Sequence, residues 1–260
     1  MKLLIFTFSP VQSFIASSRK LLDLFNASYT LSYLTESLIK HVIDNKLGEV
    51  IYPVYEPKLK EKNLAGYPNR LVVKTEEDIC EELSKVFEER WSDLYMKVKG
   101  VLGLGGRAGL QFEKHADSYF KAFCHCIDLV NKQEWMQKMA LEEACGEADD
   151  YGYTYDLLER YIGAKKSFRP YRGLVDEETL EGKYPDGCTQ CGEYPALAVD
   201  WQGFRKSFPK SKRRLLSEKE KLCGVCLTKR FAEELFENAT PFPSTKNLAW
   251  APFIARLAED

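Results

Sequence analysis

Residues 3–15 read LLIFTFSPVQSFI, a run that changes from a strand pattern to a helix pattern at one Ser-Pro step. Leu3 to Phe8 is almost entirely apolar, as expected of a buried central strand. Ser9 is a candidate N-cap, and Pro10 suits the first position of a helix. From Val11 onward the apolar residues recur with helical spacing. The amino-terminal sequence therefore predicts a strand, a tight turn and a helix.

The turn between this strand and helix is a candidate anion site. Free backbone N–H groups and the helix dipole both favour phosphate at a helix N-terminus. Serines are frequent here, with Ser13 and Ser17 one helical turn apart, and Arg19 and Lys20 follow them. The serines could equally allow close helix packing, because the segment has no glycine-rich phosphate loop. Both interpretations remain open.

Downstream patterns predict further strands and helices. Strands are expected at 50–54 and directly after Pro68-Asn69-Arg70, and a helix is expected to start near Thr75, which resembles a cap. Helices are also predicted over 110–139 and 151–167. The predicted helix at 110–139 contains Cys124-His125-Cys126, where positions two apart would point away from each other, so packed thiols are favoured over a metal site. An acidic stretch at 142–150 is a candidate linker.

Two cysteine pairs, Cys188-Thr-Gln-Cys191 and Cys223-Gly-Val-Cys226, are the strongest chemical feature of the chain. Two intervening residues let both thiolates of a pair reach one tetrahedral ion from a tight turn. Four thiolates suit Zn²⁺ in a closed structural site. Disulfides or unrelated core thiols are the alternatives, but two such pairs in one chain favour zinc. The metal ligands are therefore predicted to be Cys188, Cys191, Cys223 and Cys226.

Two basic segments are candidate nucleic-acid contacts. Residues 205–214, between the cysteine pairs, read RKSFPKSKRR, and residues 165–172 mix Lys and Arg with aromatic residues. Such segments can bind backbone phosphates. They can also be a solvated loop or a loop packed on a neighbour, and both possibilities remain open.

The composition is that of an ordinary globular protein. The chain has 260 residues, 45% of them hydrophobic, and a formal net charge of −2, so any basic surface must be local. Eight cysteines without a secretory leader predict a reducing, cytoplasmic location, in which the thiols stay free or bind metal. No apolar run reaches membrane-spanning length. Three scattered histidines and no nucleophile or acid–base constellation argue against an autonomous enzyme.

Several of these motifs, in this order, resemble one protein family. Its opening signature, G-P-V-Q-x-F-I-x-x-A-R, is similar to residues 9–19, and its P-N-R turn is similar to residues 68–70. The cysteine pairs resemble its zinc unit, and Phe242-Pro243-Ser244-Thr245 resembles the F-P-S-T that follows. The family is the large polymerase/cyclase-like subunit of type III-B CRISPR effector (Cmr) complexes.

The resemblance implies an α+β fold and a role in RNA-guided antiviral defence. It implies a ferredoxin-like, palm-related domain, placed at residues 1–147, and a mainly helical zinc-binding domain, placed at 148–260. The complete subunit of the family binds ATP between two palms and makes cyclic oligoadenylates when target RNA is bound. The implied partners are the other effector subunits, a second palm half, CRISPR RNA and target RNA, without a membrane. The implied half of the ATP site is formed by Ser9, Pro10, Val11, Gln12, Ser13 and Phe14.

The sequence also departs from the family pattern. Ser9 stands where glycine is usual, and neither a Gly-Gly-Asp-Asp turn nor an adjacent His-Asp pair occurs. We therefore expect the chain to be an N-terminal portion that is catalytically silent alone. The alternative is a stand-alone zinc-stabilised RNA- or DNA-binding module.

Overall fold

The computed structural model describes residues 1–57, 66–131, 133–135, 149–168 and 186–232. Its helices and strands are, in chain order, β1 (Lys2–Ser9), α1 (Gln12–Ala16), α2 (Leu21–Asp44), β2 (Glu49–Tyr52), β3 (Arg70–Thr75), α3 (Cys80–Val101), α4 (Gly106–Asp117), β4 (Lys121–Asp128), α5 (Asp150–Ser167), α6 (Trp201–Ser207), α7 (Lys210–Arg213) and α8 (Gly224–Phe231). Strands and helices therefore alternate in the first half, and helices predominate afterwards. The predicted α+β class is confirmed.

The four strands form one antiparallel sheet in the order β2-β3-β1-β4. β1 is a central strand, and its Ile5 lies between Val72 of β3 and His125 of β4. A central strand that is covered on both faces must be apolar on both faces. This explains why Leu3 to Phe6 are all fully or almost fully buried.

The first face of the sheet carries the main core. Leu4, Phe6 and Phe8 point towards α2 and α3 and join an aromatic cluster. Within this cluster the ring centroids of Phe8 and Phe87 lie 4.8 Å apart, and those of Trp91 and Phe120 lie 4.8 Å apart in an edge-to-face arrangement. Burial of each such side chain contributes about 1.5–3 kcal/mol. The helices are therefore held on this face mainly by aromatic packing.

The second face of the sheet is covered by α5. Leu3, Ile5 and Val72 contact Leu158 and Ile162 of that helix in a separate apolar cluster. α5 begins just beyond residue 147, yet it packs on the sheet of the first predicted domain. The division at 147/148 stays a prediction.

β4 is the clearest error of the sequence interpretation. Residues 121–128 were expected to continue a helix, but they pair with β1 along its whole length. Tertiary pairing with the central strand therefore overrides a local pattern that suited a helix. Cys124 lies on this strand and forms a disulfide with Cys80 at the start of α3, whereas Cys126 is a free thiol. The expectation that all thiols are reduced or metal-bound is therefore wrong for Cys80 and Cys124.

Two predicted helix starts are also wrong. Ser9 is the last residue of β1, where it pairs with Lys121, and a cis Ser9–Pro10 bond precedes α1, which begins only at Gln12. Thr75 likewise ends β3, and its hydroxyl donates to the Leu47 carbonyl at 2.8 Å. In both places sheet pairing extends through a residue that resembles a cap.

Among the described helices, none is long and apolar enough to cross a membrane. The Phe242–Thr245 motif, residues 142–148 of the acidic stretch and residues 169–172 of the second basic segment lie outside the described residues.

Candidate metal centre and signature turn

The four predicted metal ligands come together in one place. The sulfur atoms of Cys188, Cys191, Cys223 and Cys226 all lie within 4.8 Å of one another. Cys188, Cys223 and Cys226 are buried, and Cys191 is partly exposed. The Cys191 and Cys223 sulfurs are 3.8 Å apart. Neighbouring sulfurs in a tetrahedral site with Zn–S bonds of about 2.3 Å would be about 3.8 Å apart, so the geometry suits a metal such as zinc.

Each cysteine pair sits on a tight turn. In the first turn the Gly192 N–H donates to the Cys188 carbonyl at 2.9 Å, and Gly192 has a φ of 70°, which favours glycine. In the second turn Cys223 is the N-cap of α8, and its sulfur accepts from the Cys226 N–H at 3.4 Å. A Cβ atom on Gly224 would lie 2.6 Å from the Phe112 carbonyl oxygen, so glycine lets α8 approach α4 closely. The second cysteine turn is thus fixed against the main core.

Backbone hydrogen bonds join the two cysteine turns. The Thr189 N–H donates to the Lys221 carbonyl at 2.8 Å, and the Lys221 N–H donates to the Thr189 hydroxyl at 3.1 Å. The Leu197 N–H donates to the Leu222 carbonyl at 3.0 Å. These hydrogen bonds therefore close the base of the segment between the cysteine pairs. A bound metal would add four metal–sulfur bonds there.

The four cysteine sulfurs shift one another's pKa values. Hydrogen bonds from the other three cysteines hold the pKa of Cys188 well below its usual value. The same contacts, together with burial, raise the pKa of Cys226. Four crowded thiols therefore cannot all ionise without a cation among them. A divalent metal would replace their protons, as thiolate ligands require.

A buried ion pair connects the four-cysteine cluster to the start of α2. The guanidinium of Arg230 hydrogen-bonds both carboxylate oxygens of Asp23, and both side chains are fully buried. Arg230 also donates to Gln190 at 2.7 Å and to Glu220 at 3.1 Å. Burial alone would raise the pKa of Glu220, but the hydrogen bonds from Arg230 and the Ser217 N–H lower it to about 2. Gln190 lies inside the first cysteine pair, so the network reaches the four-cysteine cluster.

Lys229 makes a second connection, to α1. Its ammonium group is buried and donates to the Phe14 carbonyl and to the Ser17 hydroxyl, both at 2.8 Å. The Asn26 amide donates to the Lys229 carbonyl at 2.9 Å. α8 thus holds α1 and α2 through consecutive side chains. The four-cysteine cluster and the turn at residues 9–14, here called the signature turn, therefore form one packed unit.

The predicted nucleotide-binding residues divide between surface and core. Gln12 is exposed, and Ser9, Pro10, Val11 and Ser13 are partly exposed. Phe14 is only 1% exposed, and its ring lies 5.1 Å from that of Phe120. A ligand at the turn could therefore contact the first five residues, while Phe14 holds α1 in the core.

Several polar residues near the turn make internal bonds. Lys20, considered above as a phosphate ligand, donates to the Leu215 carbonyl at 2.6 Å and to Glu220 at 3.2 Å. Ser17 contacts Lys229, and the Ser32 hydroxyl accepts from the backbone N–H groups of Gly66 and Tyr67 at 3.2 and 3.1 Å. For these three residues the packing interpretation is favoured.

The P-N-R turn supports the end of β1. The Asn69 amide donates to the Phe8 carbonyl at 3.0 Å, and the Thr7 hydroxyl donates to the Asn69 carbonyl at 2.8 Å. Arg70 forms an ion pair of 2.6 Å with Glu159 of α5. The turn therefore fixes the strand from which the signature turn emerges.

The basic segment 205–214 is not one loop, because α6 and α7 contain much of it. Arg205, Lys206, Arg213 and Arg214 line an open cavity of about 710 Å³ beside Trp201. Arg213 donates to the carbonyls of Phe208 and Lys206, both at 2.8 Å. These bonds hold part of the positive charge at the rim of a defined cavity.

Comparison with known families places the amino-terminal part of the chain. Residues 3–96 match the model of the family described as "CRISPR-associated protein Cmr2, N-terminal". This part of the chain is therefore similar to the Cmr2 N-terminal family. The match covers β1, the signature turn, the P-N-R turn and most of α3. The family recognised from the sequence is thereby confirmed, and no curated protein matches the chain.

Solved structures extend the likeness to the rest of the chain. One is described as type III-B Cmr-beta in the apo state, by cryo-electron microscopy, with a TM-score of 0.63 and 15% identity. Another is type III-B Cmr-beta bound to cognate target RNA, with a TM-score of 0.62 and 16% identity. They cover 99% of this chain but only 36% and 37% of their own chains. At such identities the likeness establishes the fold, and the chain spans little more than a third of the length of those solved chains.

Proposed function

We propose that this chain is the N-terminal part of the large subunit of a type III CRISPR effector complex, where it acts as a scaffold. The observation that carries the proposal is the Cmr2 family match over residues 3–96. The Cmr-beta chains, which align with almost all of this chain, support it. Other effector subunits, CRISPR RNA and target RNA would be its partners, through the complex.

The sheet domain would be a palm-related, ferredoxin-like domain. The supporting observation is the order strand–helix–strand–strand–helix–strand, with the sheet order β2-β3-β1-β4 and only antiparallel neighbours. A second palm with the Gly-Gly-Asp-Asp turn would pack beside it in the complete subunit. The metal ions held there would neutralise phosphate charge and activate the attacking hydroxyl.

The signature turn would supply half of the ATP site used for cyclic oligoadenylate synthesis. Ser9, Pro10, Val11, Gln12 and Ser13 would contact ATP, and Phe14 would position α1. Their partial exposure supports this role for the first five residues. The chain alone would be inactive, because no Gly-Gly-Asp-Asp sequence is present.

Zinc would have a purely structural role in this protein. Three of the four cysteine ligands are buried and all four positions of a tetrahedral ion would be filled by protein, which leaves no open position for a substrate. The proposed ion would stabilise the unit that holds α1 and α2.

Reconstitution tests the half-site. We expect cyclic oligoadenylate synthesis from ATP only when this chain is combined with a fragment that carries the Gly-Gly-Asp-Asp palm and with the target-bound complex. Ser13→Trp should lower the rate about tenfold or more, because the bulky ring would occupy the turn. A rise of about 1.4 kcal/mol in the activation free energy already lowers the rate tenfold. Product is measured by liquid chromatography.

The control is Gln133→Ala, an exposed residue outside the turn. It should leave synthesis unchanged. If the Ser13→Trp variant keeps its melting temperature and synthesises product as fast as the unaltered chain, the turn has a packing role and does not contact ATP. Synthesis by this chain alone would contradict the proposed division of the active site.

A local RNA or DNA contact is the second candidate function. The observation that favours it is the cavity in which four cationic side chains stand near Trp201. Cations that bind backbone phosphates and an aromatic ring that stacks on a base are typical of single-strand binding. The overall charge of −2 makes this local cluster the relevant feature.

Salt dependence tests the RNA contact. Single-stranded RNA should bind this chain more weakly as salt rises, and the double change Lys206→Gln/Arg214→Gln should lower affinity and reduce the log–log salt slope by about 1–2. Fluorescence anisotropy at several salt concentrations measures both. The control Lys85→Gln/Lys97→Gln removes two exposed charges on α3 and should change neither. An equal effect of both double variants would contradict a defined contact.

A further inference from the structure

The disulfide between Cys80 and Cys124 joins two elements that are distant in the sequence. Cys80 is the first residue of α3, and Cys124 lies 44 residues later in the middle of β4. Their Cα atoms are 5.4 Å apart, a separation that a disulfide spans without a shift of the backbone. Both residues are partly exposed, so a small thiol can approach the pair from solvent.

The position of β4 in the sheet gives this bond its structural role. β4 is the edge strand of the order β2-β3-β1-β4, so among the described strands it pairs with β1 alone. An edge strand has ladder hydrogen bonds on one side, and such elements open more easily than central strands. On one face of the sheet α5 packs on Phe123 and Ile127 of β4, and on the other face the disulfide fastens β4 to α3. Breaking the bond therefore removes a covalent support from the outer edge of the sheet.

Cys126 is a neighbouring thiol that does not take part in this bond. It lies two residues after Cys124, on the same face of β4, and is free. Burial, and then the negative charge of Asp78, raise the pKa of Cys126 to about 11. Because the thiolate is the species that attacks a disulfide, a thiol with this pKa is unreactive at neutral pH. Exchange at the disulfide is therefore left to thiols from solvent.

The remaining cysteines indicate the conditions under which this disulfide exists. The other described cysteines are all free thiols, and four of them lie within 4.8 Å of one another without a disulfide between them. Conditions that keep such crowded thiols reduced also expose the disulfide to reductants, and a disulfide in a reducing setting is usually transient or redox-sensing. We propose that Cys80 and Cys124 form a reversible redox site, at which an external dithiol opens the disulfide and releases β4 from α3.

The reaction is a thiol–disulfide exchange in two steps. A thiolate of the dithiol attacks one sulfur of the disulfide, the sulfur–sulfur bond breaks, and its electron pair leaves with the other cysteine, which takes up a proton. The second thiolate of the dithiol then attacks the mixed disulfide and releases the first cysteine. The two cysteines are reduced by two electrons, and the dithiol is oxidised to a cyclic disulfide. The reverse reaction with that cyclic disulfide restores the bond.

Opening the bond should loosen β4 and lower the stability of the chain. A disulfide stabilises mainly by restricting the unfolded chain, and the effect grows with the length of the loop, here 44 residues. We expect reduction to lower the melting temperature by about 5–10 °C. Amide hydrogen exchange in β4 should become about tenfold faster or more, while exchange in α8 should change much less. The inference is independent of the proposed function, because it concerns neither ATP nor RNA.

The test is a redox cycle of the 260-residue chain with dithiothreitol and then with its cyclic disulfide. Iodoacetamide labelling followed by peptide mass spectrometry measures the redox state of each cysteine. Cys80 and Cys124 should be labelled after reduction and protected after oxidation, while Cys126 should have the same state in both samples. Melting temperature and hydrogen exchange are measured on the same two samples. This cycle tests the proposal without any variant.

Cys80→Ser removes one half of the bond. It should have the melting temperature of the reduced chain and should not respond to dithiothreitol, and Cys124→Ala provides the same comparison from β4. The matched control is Cys126→Ser on the same face of β4, which should keep the full response.

Three results would overturn the proposal. The first is labelling of Cys80 and Cys124 in the chain treated with the cyclic disulfide. The second is a disulfide whose reduction changes neither the melting temperature nor hydrogen exchange in β4. The third is an equal response to dithiothreitol in Cys80→Ser and in the unaltered chain, which would assign the effect to another group of cysteines.

Discussion

Replacing Cys188 with serine is expected to release the metal and to lower the free energy of unfolding by about 3 kcal/mol or more, because structural zinc supplies folding free energy directly. For a chain of this size that corresponds to a fall of about 6–12 °C in melting temperature. Purified protein should carry one zinc ion per chain, measured by inductively coupled plasma mass spectrometry. The variant should carry none.

The control is Cys126→Ser, which removes a free, partly buried thiol on β4 that is not part of the four-cysteine group. It should keep the metal and change stability by much less. A chelator should lower the melting temperature of the unaltered chain towards that of the Cys188 variant. Metal-free protein with an unchanged melting temperature would contradict a structural metal.

Breaking the buried pair of Asp23 and Arg230 is expected to be the second large effect. Asp23→Asn keeps the shape of the side chain but leaves the fully buried guanidinium without its main counter-charge. Removing one partner of a buried pair costs about 3–5 kcal/mol. Glu220 and Gln190 still contact Arg230, so we expect the lower end of that range. Urea unfolding measures the change.

The matched control is Asp156→Asn in the exposed pair of Asp156 and Arg160, whose charged atoms are 2.8 Å apart. A surface pair contributes about 0–1 kcal/mol, so this change should be small. The double variant Asp23→Leu/Arg230→Met should recover much of the stability, since it leaves no unpaired charge. Similar losses from Asp23→Asn and Asp156→Asn would mean that the buried network contributes little.

The sequence predicted the features that depend on local pattern. The apolar run at 3–8 gave the central strand, and the run at 151–167 gave α5 almost to the residue. The cysteine spacing predicted which four thiols would meet, because few ligand arrangements other than a metal site place two such pairs in one chain. These predictions needed no knowledge of distant contacts.

The errors arose where distant contacts decide the structure. Residues 121–128 form a strand because β1 offers a free edge, and Ser9 continues that strand instead of capping a helix. The sequence interpretation gave no individual role to Arg230, Lys229 and Lys166, because a cation in a helical pattern resembles a solvent-exposed residue. Arg230 is 0% exposed, and one of its two carboxylate partners, Asp23, is 207 residues away in the sequence.

That separation has a consequence for synthesis on the ribosome. At about 5–20 residues per second, the counter-ion of Asp23 emerges roughly 10–40 s after Asp23 itself. During that interval the Asp23 carboxylate lacks its Arg230 partner, although it lies on a helix face that is buried in the folded protein. Contacts of such long range also slow the final folding step. The early sheet-forming segment should therefore depend on chaperones until the cysteine-rich segment has been translated and joins it.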